Sequence, residues 1–411
     1  MKKILLSAYA CSPGKGSEEG RGWNWAVGLA EMGYTVYCLT NFDDKDKIQR
    51  EHKILNLPHL HFEFVELSLG LDDKLFDPDK KSVYLHYYLW KKKAANRALQ
   101  LHEDINFDIA HHATYGSFQQ GTCLYKLDNC KIIFGPVGGG QMALPVFKNY
   151  FGNSWKTEII RGYVSRNLIR FSGSLRKTLQ KATYVVCTNL ETKEMLDNSK
   201  FADVTKSKIS KIYAIPKKYN LLTYIDKPEH ECLNLLWVGR VMPRKGLNLS
   251  LHALSFVPKE IPYKLTIVGG GTSEGLIENW IEEYNLDSSK INVLGKIPFE
   301  EVAKQYEKAD VMLFCSLRDT SGTQIMEAMA YSLPLIVLNI SGARNLVPES
   351  CALKIDPTEG EGTAREIAKA IIQFQSNGEL RRKKSFAAYS HAMNSKWERR
   401  IKVFTENYYE D

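Results

Sequence analysis

The 411-residue sequence lacks the apolar runs, metal-ligand spacings and phosphate-loop signature that several classes of protein require. No run approaches the ~20 apolar residues that span a bilayer. The eight cysteines include no Cys-x-x-Cys pair, and their scattered spacing argues against a zinc module. The Walker A pattern, Gly-x-x-x-x-Gly-Lys-Ser/Thr, is also absent, so the sequence does not predict a P-loop enzyme.

The amino terminus and the cysteines together predict a cytoplasmic protein. The sequence opens with two lysines and an apolar stretch of about seven residues, shorter than the apolar region of a typical signal peptide. We therefore interpret this stretch as a first β-strand. Cys38, Cys187 and Cys315 lie inside apolar runs, which is typical of small buried side chains in a reduced compartment.

The composition is that of an ordinary globular protein, with 44% hydrophobic and 25% charged residues. The chain is long enough for two or three domains with a sizeable core. The net charge of +8 is mild for this length. It favours anionic ligands or an anionic membrane surface and does not require nucleic acid as a partner.

Short apolar runs alternate with helix-like segments such as Trp23–Met32 and Thr363–Phe374. Runs of this kind are typical of parallel strands that are buried on both faces and joined by helical crossovers. In the first half the predicted strands are Ile4–Ala8, Val36–Thr40, His61–Val65, Asp108–Ala110, Lys131–Phe134 and Tyr184–Cys187. In the second half they are Leu233–Val238, Leu265–Val268, Ile291–Leu294, Val311–Phe314 and Leu335–Val337.

This alternation predicts an α/β fold of two doubly wound, Rossmann-like domains that face each other across a cleft. We expect an N-terminal domain over residues 1–215 and a C-terminal domain over residues 225–395, with the break near the polar stretch Tyr213–Glu231. The tail, residues 396–411, is expected to pack back on the first domain. In such sheets the ligands lie at the carboxyl ends of the strands, which is where we expect the site.

Two carboxylates and two cations follow predicted strands in the second half. Asp319 and Glu327 stand eight positions apart across a Ser-Gly turn and the start of a helix, and Arg240 and Lys245 follow the apolar run Leu233–Val238. A guanidinium and an ammonium suit phosphate oxygens, and carboxylates suit sugar hydroxyls. The combination points to a nucleotide-linked sugar, with Glu327 on the ribose and Asp319 on the sugar ring. Arg244, between the two cations, could equally face solvent.

Glycine-rich loops and a helix N-terminus add backbone N–H groups that could contact a diphosphate. One loop follows the first strand, and another, Val268–Gly271, ends a later strand. The amides before Glu327 would lie at the start of its helix. Either glycine loop could instead be a plain turn. The residues predicted to contact the donor in this way are Gly14, Gly16, Gly270, Ser321, Gly322 and Thr323.

Two histidines, His111 and His112, follow the predicted strand Asp108–Ala110. A histidine at the carboxyl end of a strand can hydrogen-bond a sugar hydroxyl, and the alternative is a histidine of the core or the surface. Both remain candidates at this point.

The stretch Asn149–Lys181 is strongly basic and carries only one acid, Glu158, against seven lysines and arginines from residue 156 onward. Aromatic and aliphatic side chains such as Trp155 and Phe171 are interleaved with them. The stretch fits a surface that faces a membrane or an acceptor, and it fits a solvated helix face equally well.

These residues together resemble the GT-B glycosyltransferases, specifically glycosyltransferase family 4. The resemblance rests on Val-Gly-Arg240, Lys245-Gly, the Gly269–Gly271 turn and the Asp319…Glu327 pair. The Gly-Ser-Glu-Glu-Gly-Arg-Gly-Trp-Asn-Trp, His-His and Gly-Pro-Val-Gly-Gly-Gly stretches resemble a bacterial branch that builds surface polysaccharides.

The resemblance implies a retaining transfer from a UDP- or GDP-linked sugar to a hydroxyl of a saccharide or lipid-linked saccharide. It implies no bound metal and no other cofactor. The basic stretch Asn149–Lys181 adds the expectation of peripheral contact with the inner face of the membrane. Arg240 and Lys245 would stabilise the departing diphosphate, and Asp319 and one of the two histidines would contact the sugar.

Three departures from the family pattern bear on this expectation. The first acid is Asp319 where the family usually has glutamate, and Thr320-Ser-Gly322 replaces the usual Gly-Phe-Gly. The usual position of the family histidine is Ala113 here, which leaves His112 slightly ahead of His111. Two other functions remain open, a sugar-nucleotide epimerase on the same scaffold and a carbohydrate-binding protein that has lost catalysis.

Overall fold

The described part of the chain forms two compact α/β units. The computed structural model describes residues 1–15, 17–68, 70–77, 82–201, 203, 205–209, 214–215, 222–228, 231–320 and 322–410. Unit 1 comprises Met1–Gly140, Tyr163–Ile212 and Trp397–Asp411, and unit 2 comprises Gln141–Gly162 and Tyr213–Lys396.

The first part of the chain supplies the sheet of unit 1. In chain order its strands and helices are β1 (Lys3–Ser7), α1 (Ser17–Glu31), β2 (Thr35–Thr40), α2 (Lys45–Leu55), β3 (Leu60–Phe64), α3 (Leu71–Leu75), α4 (Ser82–Ile105), β4 (Ile109–His112), β5 (Lys131–Val137), α5 (Lys148–Phe151), α6 (Trp155–Phe171), α7 (Gly173–Lys181), β6 (Tyr184–Cys187), α8 (Leu190–Asp197) and β7 (Ser207–Ile209). The sheet order is β3-β2-β1-β4-β5-β6-β7, and every pairing is parallel.

The second part of the chain supplies the sheet of unit 2 and the C-terminal helices. These elements are β8 (Leu233–Val238), α9 (Leu247–Leu254), β9 (Tyr263–Val268), α10 (Ile277–Glu283), β10 (Ile291–Gly295), α11 (Phe299–Lys308), β11 (Val311–Phe314), α12 (Thr323–Ala330), β12 (Leu335–Leu338), α13 (Ser341–Leu346), β13 (Ala352–Ile355), α14 (Gly362–Ser376), α15 (Gly378–Met393) and α16 (Trp397–Tyr408). The order β10-β9-β8-β11-β12-β13 is again parallel throughout.

The sequence-based prediction of two doubly wound α/β sheets is confirmed. Each of the eleven predicted strands overlaps an observed strand, because the central strands are apolar on both faces, as in β11 and β12, where every residue is buried. The two strands that were not predicted lie at sheet edges. β7 has three residues and β13 contains Lys354, so neither forms a continuous apolar run.

The first domain is not the continuous stretch 1–215 that the sequence suggested. Gln141–Gly162 group with unit 2 instead. The physical reason is apolar burial, because Phe147 and Phe151 belong to the same hydrophobic cluster as Leu247 and Leu249 of α9. Sequence patterns do not reveal which of two cores an aromatic residue joins.

The C-terminal helix α16 completes the core of unit 1. Phe404 is buried, and its ring lies 4.9 Å from that of Trp25 in α1 and 5.1 Å from that of His111. The hydroxyl of Tyr409 lies 2.7 Å from Nδ1 of His111, and Nε2 of His111 donates to the Gly135 carbonyl at 2.7 Å. Both nitrogens of His111 are therefore engaged inside the core.

Among the described helices, none combines the length and the hydropathy that a membrane-spanning segment needs.

Phe404→Ala is expected to lower the free energy of unfolding of unit 1 by about 3–5 kcal/mol, because it leaves a cavity against Trp25 and His111. The neighbouring Val403, which is 43% exposed, is the matched control. Val403→Ala should change the free energy by no more than about 0.5 kcal/mol. Urea unfolding followed by tryptophan fluorescence measures both, and equal effects would contradict the assigned packing of α16.

Candidate functional site

Two loops at the carboxyl edge of the second sheet are held together by their backbones. The loop after β8 ends in a turn at Pro243–Lys245, and the carbonyl of Arg244 accepts a hydrogen bond from the Leu317 N–H at 2.9 Å. Gly246 has φ +69°, and a Cβ atom there would overlap the carbonyl oxygen of Cys315. The loop after β11 therefore runs directly against the turn that carries Lys245.

This contact brings Lys245 and Asp319 together. Lys245 is 9% exposed, and its Nζ lies 2.5 Å from Oδ2 of Asp319. Nη1 of Arg244 lies 3.7 Å from the other carboxylate oxygen, and the Ser316 hydroxyl donates at 3.3 Å. Burial lowers the pKa of Lys245, while the charge of Asp319 raises it, and the outcome is a pKa below the ordinary value. Arg244 therefore belongs to the site through its contact with Asp319, whereas Arg240 is exposed.

A second carboxylate lies within the same group of charges. Oε1 of Glu158 is 2.8 Å from Nη2 of Arg161 and 2.7 Å from Nε of Arg318. Burial raises the pKa of Glu158, but the two arginines outweigh it and hold the pKa below its usual range. Burial, with Arg161 adding to its effect, lowers the pKa of Arg318 to about 10.

The resulting group carries an excess of positive charge. Of these six side chains, four are cations and two are carboxylates: Arg161, Arg244, Lys245, Arg318, Glu158 and Asp319. Partly buried like charges repel, and an anion that enters the group relieves this repulsion. The local electrostatics therefore suit a ligand with two or more negative charges.

Three members of this group, Arg318, Glu158 and Arg161, were not assigned to a site from the sequence. Arg318 follows a buried strand, as Arg240 does, and that shared position could have identified it. Glu158 and Arg161 lie far away in sequence and were interpreted only as part of the basic stretch. Their role depends on Gln141–Gly162 folding with unit 2, which no local pattern shows.

The second predicted carboxylate, Glu327, is oriented by a buried tyrosine. Glu327 lies in the second turn of α12, and its Oε2 accepts a hydrogen bond from the Tyr306 hydroxyl at 3.1 Å. Tyr306 is fully buried in α11 and stacks on Tyr331 with ring centroids 5.4 Å apart. No sequence pattern identified Tyr306, because it lies 21 residues before its partner.

The start of α12 leaves backbone N–H groups without a capping side chain. Its N-cap is Gly322, which has no side chain to cap the helix, and Thr323 at the first helical position is exposed. Such a terminus favours an anion through its N–H groups and the helix dipole. Ser321, predicted to contribute here, lies outside the described residues.

The glycine turn after β9 packs against the protein's own backbone. Gly269 has φ +129°, and a Cβ atom there would overlap the carbonyl oxygen of Gly239. The Val241 N–H donates to the Gly270 carbonyl at 3.0 Å. The turn therefore needs glycine in order to join the loop after β8, and this contact sets Gly270 beside the segment that carries Arg240 and Lys245.

In unit 1 the two histidines point to different surroundings. His111 is enclosed by Tyr409 and Gly135, as described above. His112 is also buried, but within the described ranges neither of its ring nitrogens has a partner in good hydrogen-bonding geometry. Burial lowers the pKa of His112 to about 4, against a smaller opposing effect of the Tyr115 backbone. His112 is therefore neutral at pH 7, and the Tyr115 backbone is the polar group that faces its ring.

The glycine loop after β1 is described only in part. Gly14 has φ +70° and is exposed, while Gly16 lies outside the described residues. Glu18, in the first turn of α1, accepts a hydrogen bond from the Tyr115 N–H at 2.9 Å. Tyr115 has φ +61°, a conformation that L-residues rarely adopt and that often marks functional loops. Neither Glu18 nor Tyr115 was predicted from the sequence.

Gly246→Ala is expected to destabilise unit 2 by at least about 2 kcal/mol, because the added methyl group strains the backbone and separates the loops after β8 and β11. Gly275→Ala is the control, since a Cβ atom there meets nothing within 4 Å. Thermal unfolding of the two variants measures the difference. A Gly246→Ala protein as stable as Gly275→Ala would contradict the close contact with Cys315.

Comparison with known proteins gives a family match within unit 2. Residues 226–391 match the family model described as Glycosyl transferases group 1, and this range contains every site residue predicted in the second half of the sequence. The amylovoran biosynthesis glycosyltransferase AmsK of Erwinia amylovora is 27% identical over 181 residues, which cover 42% of this chain and 43% of that protein. The chain spans less than half the length of the first curated relatives that it matches.

Solved structures resemble the chain over its whole length. Sucrose-phosphate synthase (tll1590) from Thermosynechococcus elongatus has a TM-score of 0.66 at 18% identity and covers 100% of this chain and 99% of its own. Anabaena Alr3699/HepE in complex with UDP has a TM-score of 0.60 at 14% identity, with 99% of each chain covered. At these identities the likeness establishes the fold, which is that of the GT-B glycosyltransferases, and the group 1 match supports a glycosyltransferase.

Proposed function

We propose that the chain is a retaining glycosyltransferase of family 4 that moves a sugar from a nucleotide-diphosphate sugar to a hydroxyl of a saccharide or lipid-linked saccharide, in bacterial surface polysaccharide synthesis. The observation that carries the proposal is the pairing of Lys245 with Asp319 inside a group of charges with excess positive charge. The diphosphate supplies the missing negative charge, and Lys245 and Arg240 contact its oxygens.

The two carboxylates contact different parts of the donor. Glu327, held by Tyr306, accepts hydrogen bonds from the ribose hydroxyls. Asp319 keeps Lys245 in place and has lone pairs left for a hydroxyl of the sugar ring. The aspartate in place of the family's glutamate thus acts on the sugar and on the cation that holds the diphosphate.

The reaction follows from where charge develops. The bond between C1 of the sugar and the diphosphate oxygen breaks, its electron pair stays on the diphosphate, and Lys245 and Arg240 stabilise the new charge. The acceptor oxygen bonds to C1 on the same face, through an oxocarbenium-like state. The proton of the acceptor hydroxyl passes to the departing diphosphate oxygen. The neutral His112 contributes a hydrogen bond to a sugar hydroxyl rather than a charge.

A uridine donor is the first choice, with a guanosine donor as the alternative. The structural neighbour Anabaena Alr3699/HepE has been solved with UDP and with UDP-glucose. The proposal requires no metal, because the cations of the site can balance the diphosphate.

A location on the inner face of the cytoplasmic membrane is part of the proposal and rests on α6. Tyr163, Val164 and Phe171 are 68%, 46% and 78% exposed on the part of this helix that belongs to unit 1, and the basic side chains Arg166 and Arg170 lie among them. Apolar side chains with basic neighbours suit an anionic lipid surface.

Thermal unfolding with UDP, GDP, dTDP, CMP and ADP in turn, with EDTA present, tests the proposed donor site. One nucleoside diphosphate at about 100 times its dissociation constant should add about 2.7 kcal/mol to the free energy of unfolding. Lys245→Ala should weaken that nucleotide about 10- to 100-fold, because it removes a charged hydrogen bond. Lys264→Ala, at an exposed position of β9, is the matched control. No stabilisation by any of the five nucleotides would contradict the proposal.

Turnover separates the proposed transferase from the other two functions. Proton NMR of the purified enzyme with the nucleotide sugar and an acceptor should show a glycoside with the anomeric configuration of the donor. Conversion of the free nucleotide sugar without an acceptor would indicate an epimerase. Tight binding without turnover across many acceptors would indicate a binding protein.

Tyr306→Phe is expected to raise the dissociation constant of UDP about 5- to 10-fold, because Glu327 loses the hydrogen bond that orients it. Inorganic diphosphate, which has no ribose, should bind Tyr306→Phe and the wild type equally well. Isothermal titration calorimetry measures both ligands. An equal loss of affinity for the two would show that Tyr306 acts on the diphosphate or on the fold instead of on the ribose contact.

A further inference from the structure

A large cavity in unit 2 remains unused by the proposed reaction. Its volume is about 840 Å³, within the range of small-molecule sites. It lies between the segment 146–154 on one side and the helices α9 and α10 with the turn before α14 on the other. Pro243 and Thr272 line one end, so the cavity adjoins the loops of the donor site without including Arg240, Lys245, Asp319 or Glu327.

Side chains from both sides of the cavity hold one another in place. The Tyr150 hydroxyl lies 2.8 Å from Nδ1 of His252, whose ring stacks on that of Tyr284 with centroids 4.5 Å apart. The Tyr284 hydroxyl in turn donates to Oδ1 of Asn248 at 2.6 Å. A wall fixed in this way loses little conformational entropy when a ligand binds.

The side formed by α9 and α10 combines aromatic surface with hydrogen-bonding groups. Trp280 is half-buried and Leu276 is 44% exposed, so both present apolar surface to the cavity. The amide N–H groups of Asn248 have no partner among the described residues and can donate to a ligand oxygen. Sugar rings have apolar C–H faces and a rim of hydroxyls, which match aromatic rings with amide and carboxylate neighbours.

The charges of the lining argue against a phosphate. Among the described residues, the lining has two carboxylates, Glu283 and Glu361, and neither lysine nor arginine. Burial lowers the pKa of His252, and the opposing effect of Glu361 and Glu283 is smaller, so the ring is neutral at pH 7. Glu361 is paired with Arg365, whose Nη2 lies 2.6 Å from its Oε2, so Glu283 is the carboxylate that would mainly repel an anion. Both carboxylates can accept hydrogen bonds from hydroxyl groups.

The side chains of the segment 146–154 also indicate a binding site and not a packing gap. Phe147, Tyr150 and Phe151 are buried and anchor the segment in the apolar core of unit 2. Asn149 and Asn153 are exposed and line the cavity from the same segment. A packing gap would be lined by apolar groups, whereas this cavity has polar groups on both sides.

We propose that this cavity binds a neutral oligosaccharide at a site distinct from the donor residues. The proposal does not require that the chain be a glycosyltransferase. If the chain is one, the cavity gives it a second contact with a glycan, beyond the hydroxyl that reacts.

The test is isothermal titration calorimetry of the full chain with four neutral tetrasaccharides, maltotetraose, cellotetraose, mannotetraose and xylotetraose, and with the anionic sialyllactose. At least one neutral sugar should bind with a dissociation constant below about 10 mM, and more tightly than sialyllactose. Saturating UDP should not displace it. Absence of binding by all four neutral sugars, or displacement by UDP, would overturn the proposal.

Substitutions of two cavity residues test whether the sugar binds in the cavity. Trp280→Ala should weaken the bound tetrasaccharide at least about tenfold, and Tyr284→Phe several-fold, because it frees Asn248. Phe386→Ala, which removes an aromatic ring that is 59% exposed on α15, is the control and should bind like the wild type. Unfolding midpoints show whether each variant is folded, and Tyr284→Phe keeps the ring if Trp280→Ala fails to fold. Unchanged affinity in both cavity variants would place the sugar elsewhere and overturn the proposal, whatever the outcome of the nucleotide experiments.

Discussion

The close backbone contact between the loops after β8 and β11 is the constraint on which the candidate site depends. Gly246 allows its loop to lie against the Cys315 carbonyl, and the Arg244 carbonyl receives the Leu317 N–H. With the two loops in this register, Nζ of Lys245 lies 2.5 Å from the Asp319 carboxylate. The backbone contacts between the two loops therefore determine where the charged side chains of the site lie.

Most of the fold could be predicted because buried parallel strands leave a strong pattern. β8, β11 and β12 are apolar and are bounded by glycine or polar residues, so their positions are evident from the sequence. The strands β7 and β13 escaped prediction because β7 has three residues and each contains a lysine, which an outer strand of the described sheets tolerates. A short strand with a charged residue at a sheet edge lacks the continuous apolar run on which the prediction relied.

The site could be predicted in part, where its residues follow strands. Lys245 and Asp319 fall in that class, and the structure brings them together. Tyr306 and Glu158 do not, because each acts through a partner that is distant in sequence. The histidine pair shows a further limit: neighbouring residues of a strand point to opposite faces, and the sequence does not show which face holds partners for a ring.

The exchange of segments between the units has a consequence for how the chain can be divided. Gln141–Gly162 leave the first part of the chain to join unit 2, and Trp397–Asp411 return to complete unit 1. No single cut can therefore release either unit whole. A half-chain ending near residue 212 would lack α16 and would carry aromatic side chains that belong to another core. A chimaera of two homologues should therefore take Gln141–Gly162 from the same parent as the rest of unit 2. It should take Trp397–Asp411 from the same parent as the rest of unit 1.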